Sequence, residues 1–248
     1  MPHIFPLSEG EFTIGRDKIF FPFKMDEDEL NERSVGSLLV EVQPFLVATS
    51  KDLLLLDTGL GFDGPDGEMQ IYDNIRKVGY SPEQVTKVLM SHLHKDHAGG
   101  VSVKDKSGVH KPSFPNATYY VYRKEADDAL RVGLPSFITE ELEPLLSSGQ
   151  VEWLDDEEGM IDGYIKYWHS GGHSPSHIVF LIEDEEQKIF FGGDEAPQLK
   201  QMKIKYIAKY DYDGKKAMEL REQYAEQGRA EDWQFLFYHD VQQPVAKL

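Results

Sequence analysis

Cysteine is absent from the 248-residue chain. No disulfide can stabilise the fold, and cysteine usage gives no information on the redox compartment. A metal site in this chain would have to use nitrogen and oxygen ligands from histidine, aspartate and glutamate.

Long apolar runs are also missing. No stretch reaches the roughly 18 apolar residues of a membrane-spanning helix, so we expect no membrane partner. Met1 to Gly10 lack a basic start followed by an apolar segment, which predicts a cytoplasmic protein without a secretory signal. The length suits one α/β domain over residues 1–248, and a hydrophobic fraction of 40% is enough for a core.

Basic residues are few, since 26 Lys and Arg stand against 44 Asp and Glu, giving a net charge of −18. Such a charge disfavours long-range attraction to nucleic acid or anionic lipid. We therefore expect a neutral or weakly charged small-molecule substrate and no nucleic-acid partner. Local basic patches are nevertheless compatible with a negative net charge. An effect on solubility alone is an equal alternative. The oligomeric state stays open, with a homodimer among the alternatives.

The most informative segment is Ser91 to Gly100, which holds His92, His94, Asp96 and His97 within six residues. Val85 to Met90 precede it and predict a buried strand. Imidazole nitrogens and carboxylate oxygens are good ligands for zinc and similar divalent ions. Neighbouring side chains diverge, so the pattern suits two adjacent ions better than one. The alternative is a surface histidine cluster without metal.

This H-x-H-x-D-H pattern resembles the signature of the metallo-β-lactamase superfamily. Four further marks of that family follow its order: LLLLDTG at Leu53–Gly59, a Gly-Gly-His turn at 171–173, IFFGGD at Ile189–Asp194, and FLFYH at Phe235–His239. The resemblance implies an α/β fold, the four-layer αβ/βα sandwich, with a site at one edge between two sheets.

The resemblance also implies a ligand set and a mechanism. The first ion would take His92, His94 and His173; the second would take Asp96, His97 and His239; Asp194 would bridge them. Taken alone, Asp194 would equally fit a turn. The family implies two divalent ions, zinc first and manganese or iron as alternatives, and a bridging hydroxide that attacks a carbonyl. Asp96 would be the catalytic residue that passes a proton to the leaving group. Asp57 would orient the ligands.

Several features distinguish branches of the family. True β-lactamases often use Cys, which this chain lacks; glyoxalase II-like enzymes add a helical domain, for which the nine residues after His239 are too few. The motifs H-A-G-G, G-H-S-P-x-H and F-x-H-D resemble the N-acyl homoserine lactonase branch, which implies a lactone or ester substrate. One departure is Pro197, where those lactonases commonly carry Tyr. The alternatives are a phosphodiesterase, a glyoxalase II-like thioester hydrolase, and a non-catalytic metal-binding protein.

Other segments give expectations that the structure can test. Tyr206, Tyr210 and Tyr212 are either donors to a developing oxyanion or ordinary tyrosines. Ile19 to Phe23 form either a loop over the pocket or a core contact, without a regular strand across Pro22. His177 is expected beside the ligands or in the core, His169 in a packing role, and His110 at the surface. The remaining predictions are one β run at Ser37–Val47, a loop at Val101–Pro115, a capping box at Ser81–Gln84, and helices at Met69–Val78, Tyr122–Val132, from Thr139, and at about Gly214–Gln227.

Overall fold

The computed structural model describes residues 1–105 and 107–248. The strands of this part are numbered in chain order: β1 (His3–Pro6), β2 (Gly10–Ile14), β3 (Phe20–Phe23), β4 (Leu38–Val42), β5 (Phe45–Ala48), β6 (Leu53–Leu56), β7 (Lys87–Leu89), β8 (Ser102–Lys104), β9 (His110–Pro112), β10 (Thr118–Tyr122), β11 (Val151–Leu154), β12 (Glu158–Ile161), β13 (Ile165–His169), β14 (Ile178–Asp184), β15 (Gln187–Phe191), β16 (Gln234–Leu236) and β17 (Val245–Ala246). The α-helices are α1 (Gln70–Lys77), α2 (Lys95–Ala98), α3 (Arg123–Val132), α4 (Thr139–Leu146) and α5 (Gly214–Ala230).

Two six-stranded sheets face each other across the main core. The first has the order β1-β5-β6-β7-β10-β11, and the second runs in chain order from β12 to β17. Phe45 and Leu56 of the first sheet belong to one buried cluster with Phe180 and Phe191 of the second. Both sheets therefore bury their inner faces against each other.

Helices cover the two outer faces. Ile71 of α1, Ala126 of α3 and Leu142 of α4 belong to the apolar cluster of the first sheet. Tyr224 of α5 packs with Phe190 of the second. This arrangement is the predicted αβ/βα sandwich, and it is confirmed. No helix of the described residues is long and apolar enough to cross a bilayer.

The centre of the first sheet brings the motif residues to one edge. Strand β6 is apolar at every position because it is buried on both faces. It pairs in parallel with β7, matching Leu56 with Leu89. Parallel strands end at the same edge, so Asp57 after β6 lies beside Ser91 after β7. The Ser91 amide donates a 2.7 Å hydrogen bond to Asp57 Oδ1.

The prediction for Pro22 was wrong, because β3 runs as a regular strand through it. Strand β3 pairs only with β2 in a three-stranded sheet of order β3-β2-β4 among the described residues. An edge strand can accommodate proline because one side of its backbone needs no donor.

The single β run at Ser37–Val47 is divided at Pro44 into β4 and β5, which belong to different sheets. The loop predicted at Val101–Pro115 contains the hairpin β8–β9, and His110 is half-buried beside the Ser102 hydroxyl, 3.0 Å away. The capping box of Ser81 and Gln84 and the four longer predicted helices are confirmed.

Candidate metal centre

The seven residues predicted as ligands meet at the edge where both sheets end. His92 to His97 follow β7, and α2 begins within this segment. His173 lies between β13 and β14, Asp194 follows β15, and His239 follows β16. The site therefore takes ligands from both halves of the sandwich.

The first group contains His92, His94 and His173. His94 Nδ1 lies 3.0 Å from His92 Nε2 and 3.2 Å from His173 Nε2. Ligand atoms on a tetrahedral ion with bonds of about 2.0–2.1 Å lie about 3.3 Å apart. The three nitrogens thus have the mutual spacing of ligands around one ion.

The second group contains Asp96, His97 and His239. Asp96 Oδ2 lies 3.8 Å from His97 Nε2 and 3.5 Å from His239 Nε2. Asp57 is also close to His97, but it contacts Nδ1, the nitrogen on the far side of the ring, at 2.7 Å. Asp57 therefore orients the imidazole, while Nε2 faces the other members of the group.

Asp194 faces both groups with different oxygens. Its Oδ2 lies 3.2 Å from His173 Nε2, and its Oδ1 lies 3.2 Å from His97 Nε2 and 3.0 Å from His239 Nε2. One carboxylate can thus contribute an oxygen to each of two neighbouring ions.

Buried atoms without partners test whether metal ions fit here. His97 Nε2 and Asp194 Oδ1 are buried and make no hydrogen bond among the described residues. A buried polar atom without a partner costs about 1–3 kcal/mol, so such atoms are rare unless something else binds them. Nitrogen and oxygen donors that converge in this way fit two divalent ions.

The outer nitrogens of these imidazoles have partners of their own. The Nδ1 atoms of His173 and His239 lie 3.0 Å from Asp211 Oδ1 and 2.6 Å from the Glu41 carbonyl oxygen. His92 Nδ1 lies 3.1 Å from the Ser91 hydroxyl. A hydrogen on each Nδ1 would leave the Nε2 lone pair directed at the site, which is the usual arrangement of metal-binding histidines in proteins.

The comparisons with known proteins agree with this geometry. The model of the metallo-beta-lactamase superfamily matches residues 39–232. The chain belongs to the metallo-β-lactamase superfamily. It resembles the lactonase branch: an N-acyl homoserine lactonase of Bacillus cereus is 25% identical, over 88% of this chain and 90% of that protein.

Solved structures share the fold of this chain. A probable metal-dependent hydrolase from Staphylococcus aureus has a TM-score of 0.79 at 22% identity, covering 99% of this chain and 92% of its own. A dizinc quorum-quenching lactonase has a TM-score of 0.73 at 19% identity, covering 99% and 90%. At these identities the likeness concerns the fold.

Electrostatics divide the histidines of this metallo-β-lactamase site into two kinds. Burial and the nearby histidines lower the pKa of His92 and of His94 well below the usual value, so both rings are neutral and available as ligands. Burial also acts to lower the pKa of His97, His173 and His239, but Asp194 together with the other nearby carboxylates outweighs it, and the pKa of all three is raised. The same three histidines outweigh burial at Asp194 and lower its pKa.

Asp211 is a site residue that sequence reasoning missed. Its buried carboxylate contacts His173 with one oxygen and lies 3.6 Å from the guanidinium of buried Arg221 with the other. Arg221 also donates to the backbone oxygen of Tyr206, 2.8 Å away. The one sequence signal that could have pointed to Asp211 was a charged residue in an apolar position. Arg221 lies on the same face of α5 as the apolar Ala217, Tyr224 and Ala225, so a buried acidic partner was to be expected.

His177 and His169 lie where the sequence predicted. His177 Nε2 accepts the Asp194 amide hydrogen at 3.2 Å, which fixes the backbone at that residue. Gly193 has a φ of +48°, and a Cβ there would lie 2.6 Å from the Ser91 hydroxyl, so glycine is required. His169 contacts Glu157 at 2.9 Å, outside the two groups.

A cavity of about 1330 Å³ opens over the two groups. Its walls include Phe20 of the β2–β3 hairpin and Tyr206 and Tyr210 of the segment after Asp194. The Tyr210 ring lies 6.0 Å from the His173 ring. Tyr212 is 71% exposed and does not line the cavity. Tyr210 is therefore the best placed of the three tyrosines to contact a substrate.

Proposed function

We propose that this chain is a hydrolase that holds two divalent ions, zinc first, and cleaves a lactone or ester. The observation that carries the proposal is the position of Asp194, with one oxygen toward each histidine group. The lactonase relative, 25% identical over nearly its whole length, supports the substrate class. The presence of six donors in two groups at ligand spacing, with Asp194 within 3.2 Å of both groups, argues for turnover over a protein that only binds metal.

His92, His94 and His173 would hold one ion, Asp96, His97 and His239 the other, and Asp194 both. Two ions held there would lower the pKa of a water and polarise a carbonyl oxygen. Asp96 is half-buried and lines the cavity, so its carboxylate can take a proton from the attacking water and deliver it to the leaving oxygen.

Tyr210 is the proposed donor to the developing oxyanion. The phenol oxygen accepts a 2.9 Å hydrogen bond from the Gln201 side chain, which fixes its position and leaves its own hydrogen able to donate. Burial raises the pKa of Tyr210, so the phenol stays protonated at neutral pH. Tyr210 would thus supply the hydroxyl that Pro197 cannot.

The test is a hydrolysis panel of lactones, esters, thioesters, phosphodiesters and β-lactams with the purified protein, after its metal content is measured. We expect about two ions per chain and the highest kcat/KM on a lactone or ester. Less than about one ion per chain after reconstitution with zinc, manganese or iron would contradict the dinuclear site. Faster cleavage of bis-aryl phosphodiesters than of every ester would contradict the substrate class.

A further inference from the structure

The cavity has a charge opposite to that of the chain as a whole. Five basic side chains line it, while the acidic residues of its described lining are Asp17 and the two proposed ligands Asp96 and Asp194. The five are Arg16, Lys18, Lys95, Lys200 and Lys209. A net charge of −18 therefore does not describe the surface that a substrate meets.

Lys18 is held in the wall of the cavity by an uncommon backbone conformation. It ends the turn of the β2–β3 hairpin, where its amide donates to the Gly15 carbonyl oxygen at 3.2 Å and its φ is +57°. This left-handed conformation is uncommon for lysine, and such strain is concentrated at functional sites. The Lys18 ammonium donates to the Ser136 hydroxyl at 2.5 Å.

Lys95 belongs to the same wall. Its amide donates to the Ser136 carbonyl oxygen at 2.9 Å, and its ammonium lies 5.8 Å from the centre of the Phe20 ring. Lys18 and Lys95 are both half-buried, and neither pairs with a carboxylate in the described part of the chain. Ser136 thus fixes the Lys18 ammonium with its hydroxyl and the Lys95 backbone with its carbonyl oxygen, and Lys95 lies next to His94 in sequence.

The lysines after Asp194 fall into two sets, those that line the cavity and those that do not. Lys200 and Lys209 line the cavity. Lys205, between them, lies outside the lining and pairs with Glu222 at 3.0 Å. Lys203, also between them, is exposed and lies outside the lining as well. Lys200 and Lys209 are therefore the basic residues of this segment that a ligand in the cavity can meet.

We propose that this wall binds an anionic group of the substrate, a carboxylate or a phosphate, beside the bond that is cleaved. The inference rests on the proposed function and narrows it to a lactone or ester with a second, negatively charged end. Charges on the outer surface are screened over about 8–10 Å at physiological salt. The nearby lysines therefore outweigh the distant acidic residues at the bound ligand. The proposal thus replaces the expectation of a neutral substrate, which came from the net charge alone.

The test compares two esters that differ in one charge: the 4-nitrophenyl ester of glutarate with its other carboxylate free, and the same ester with that carboxylate methylated. We expect the protein to prefer the anionic ester by about tenfold or more in kcat/KM, and less at high salt. In Lys18→Asn/Lys200→Gln the preference should fall by about tenfold, because Asn tolerates the left-handed turn while the charge is lost.

Lys203→Gln is the matched control, since Lys203 is an exposed residue of the same segment outside the cavity lining. It should leave the preference unchanged. Calorimetric titration of the metal-loaded protein with glutarate and with glycerol phosphate measures anion binding without turnover. The ligand that binds more tightly shows whether the anionic group is a carboxylate or a phosphate. The double variant should bind that ligand more weakly than the natural protein does.

The outcomes separate the two proposals. Hydrolysis of both esters without a charge preference would overturn the anion site and leave the hydrolase standing. No hydrolysis, but anion binding that the double variant weakens, would leave the anion site standing and overturn the proposed function. Equal anion binding by the protein and the double variant would overturn the anion site in either case.

Discussion

At the scale of single residues, Asp194 joins the two ligand groups more than any other side chain. Replacing it with Ala removes an oxygen from each group at once, so we predict that Asp194→Ala loses metal at both positions. Elemental analysis after dialysis measures this, with Asp127→Ala, at an exposed position of α3, as control. Full metal content and full activity in Asp194→Ala would show that the carboxylate does not bridge.

Tyr210 carries a second prediction at this scale. Tyr210→Phe should lower kcat by at least about tenfold with little change in KM, because the phenol hydrogen bond is strongest in the transition state. Tyr212→Phe, at the exposed tyrosine outside the cavity, should leave both constants unchanged. A loss confined to KM would instead assign Tyr210 to ground-state binding.

The sequence predicts the convergence of the seven donors because His92 to His97 form one compact motif and the others follow recognisable glycine or strand patterns. Asp211 and Lys18 carry no such pattern. Aspartate and lysine are common surface residues, and only the approach of distant segments places Asp211 against His173 and Lys18 against Ser136. Tertiary contacts of this kind have no local signature.

At the scale of elements, the position of the H-x-H-x-D-H motif depends on the close approach of α2 to the turn after β6. The Gly99 amide donates to the Gly59 carbonyl oxygen at 2.9 Å, and a Cβ on Gly99 would lie 2.2 Å from the Leu60 carbonyl oxygen. The Leu60 carbonyl is a backbone group, so it cannot move aside as the end of a flexible side chain could. The glycine therefore sets the distance between the motif and the first sheet.

We predict that Gly99→Ala destabilises the fold by about 1–3 kcal/mol and weakens metal binding, as overpacking does elsewhere. Gly149→Ala is the matched control, since a Cβ there would meet no atom within 4 Å. Urea unfolding measures the stability of both variants, and metal titration measures their metal affinity. Equal stability of Gly99→Ala and Gly149→Ala would contradict the close contact.

Elements were predictable where a pattern was local. Apolar runs predict β6 and β14, and the capping box predicts the turn at Ser81. The division of Ser37–Val47 between two sheets was not predictable, because both parts are apolar and the choice of partner strand is made by distant residues. The same reason applies to β3, whose proline is acceptable only at an edge.

At the scale of the whole molecule, buried acids make stability depend on pH. Burial raises the pKa of the Glu9 carboxyl from 4.5 to about 8, although the Leu60 amide hydrogen bond lowers it in part. The folded chain thus keeps this proton where the unfolded chain releases it. The resulting stabilisation is complete below about pH 4.5 and is lost as the pH rises toward about 8.

We predict that Glu9→Gln, which is neutral at every pH, shows a smaller loss of unfolding free energy between about pH 5 and 8 than the natural chain. Each pKa unit corresponds to about 1.4 kcal/mol, so the difference is measurable by urea unfolding at several pH values. Glu186→Gln, at an exposed turn, is the control. Parallel pH profiles for Glu9→Gln and the natural chain would contradict a buried, protonated Glu9.

The seven donors come from both sheets, and this has a consequence for the lifetime of the protein. Ions that bind only when the two halves are docked act as removable cross-links in a chain that has no disulfides. Their contribution to stability grows with the free ion concentration, and degradation by proteases follows the unfolded fraction. Under the proposed occupancy, a cell short of the metal would lose the protein as well as its activity, so abundance would report on metal supply.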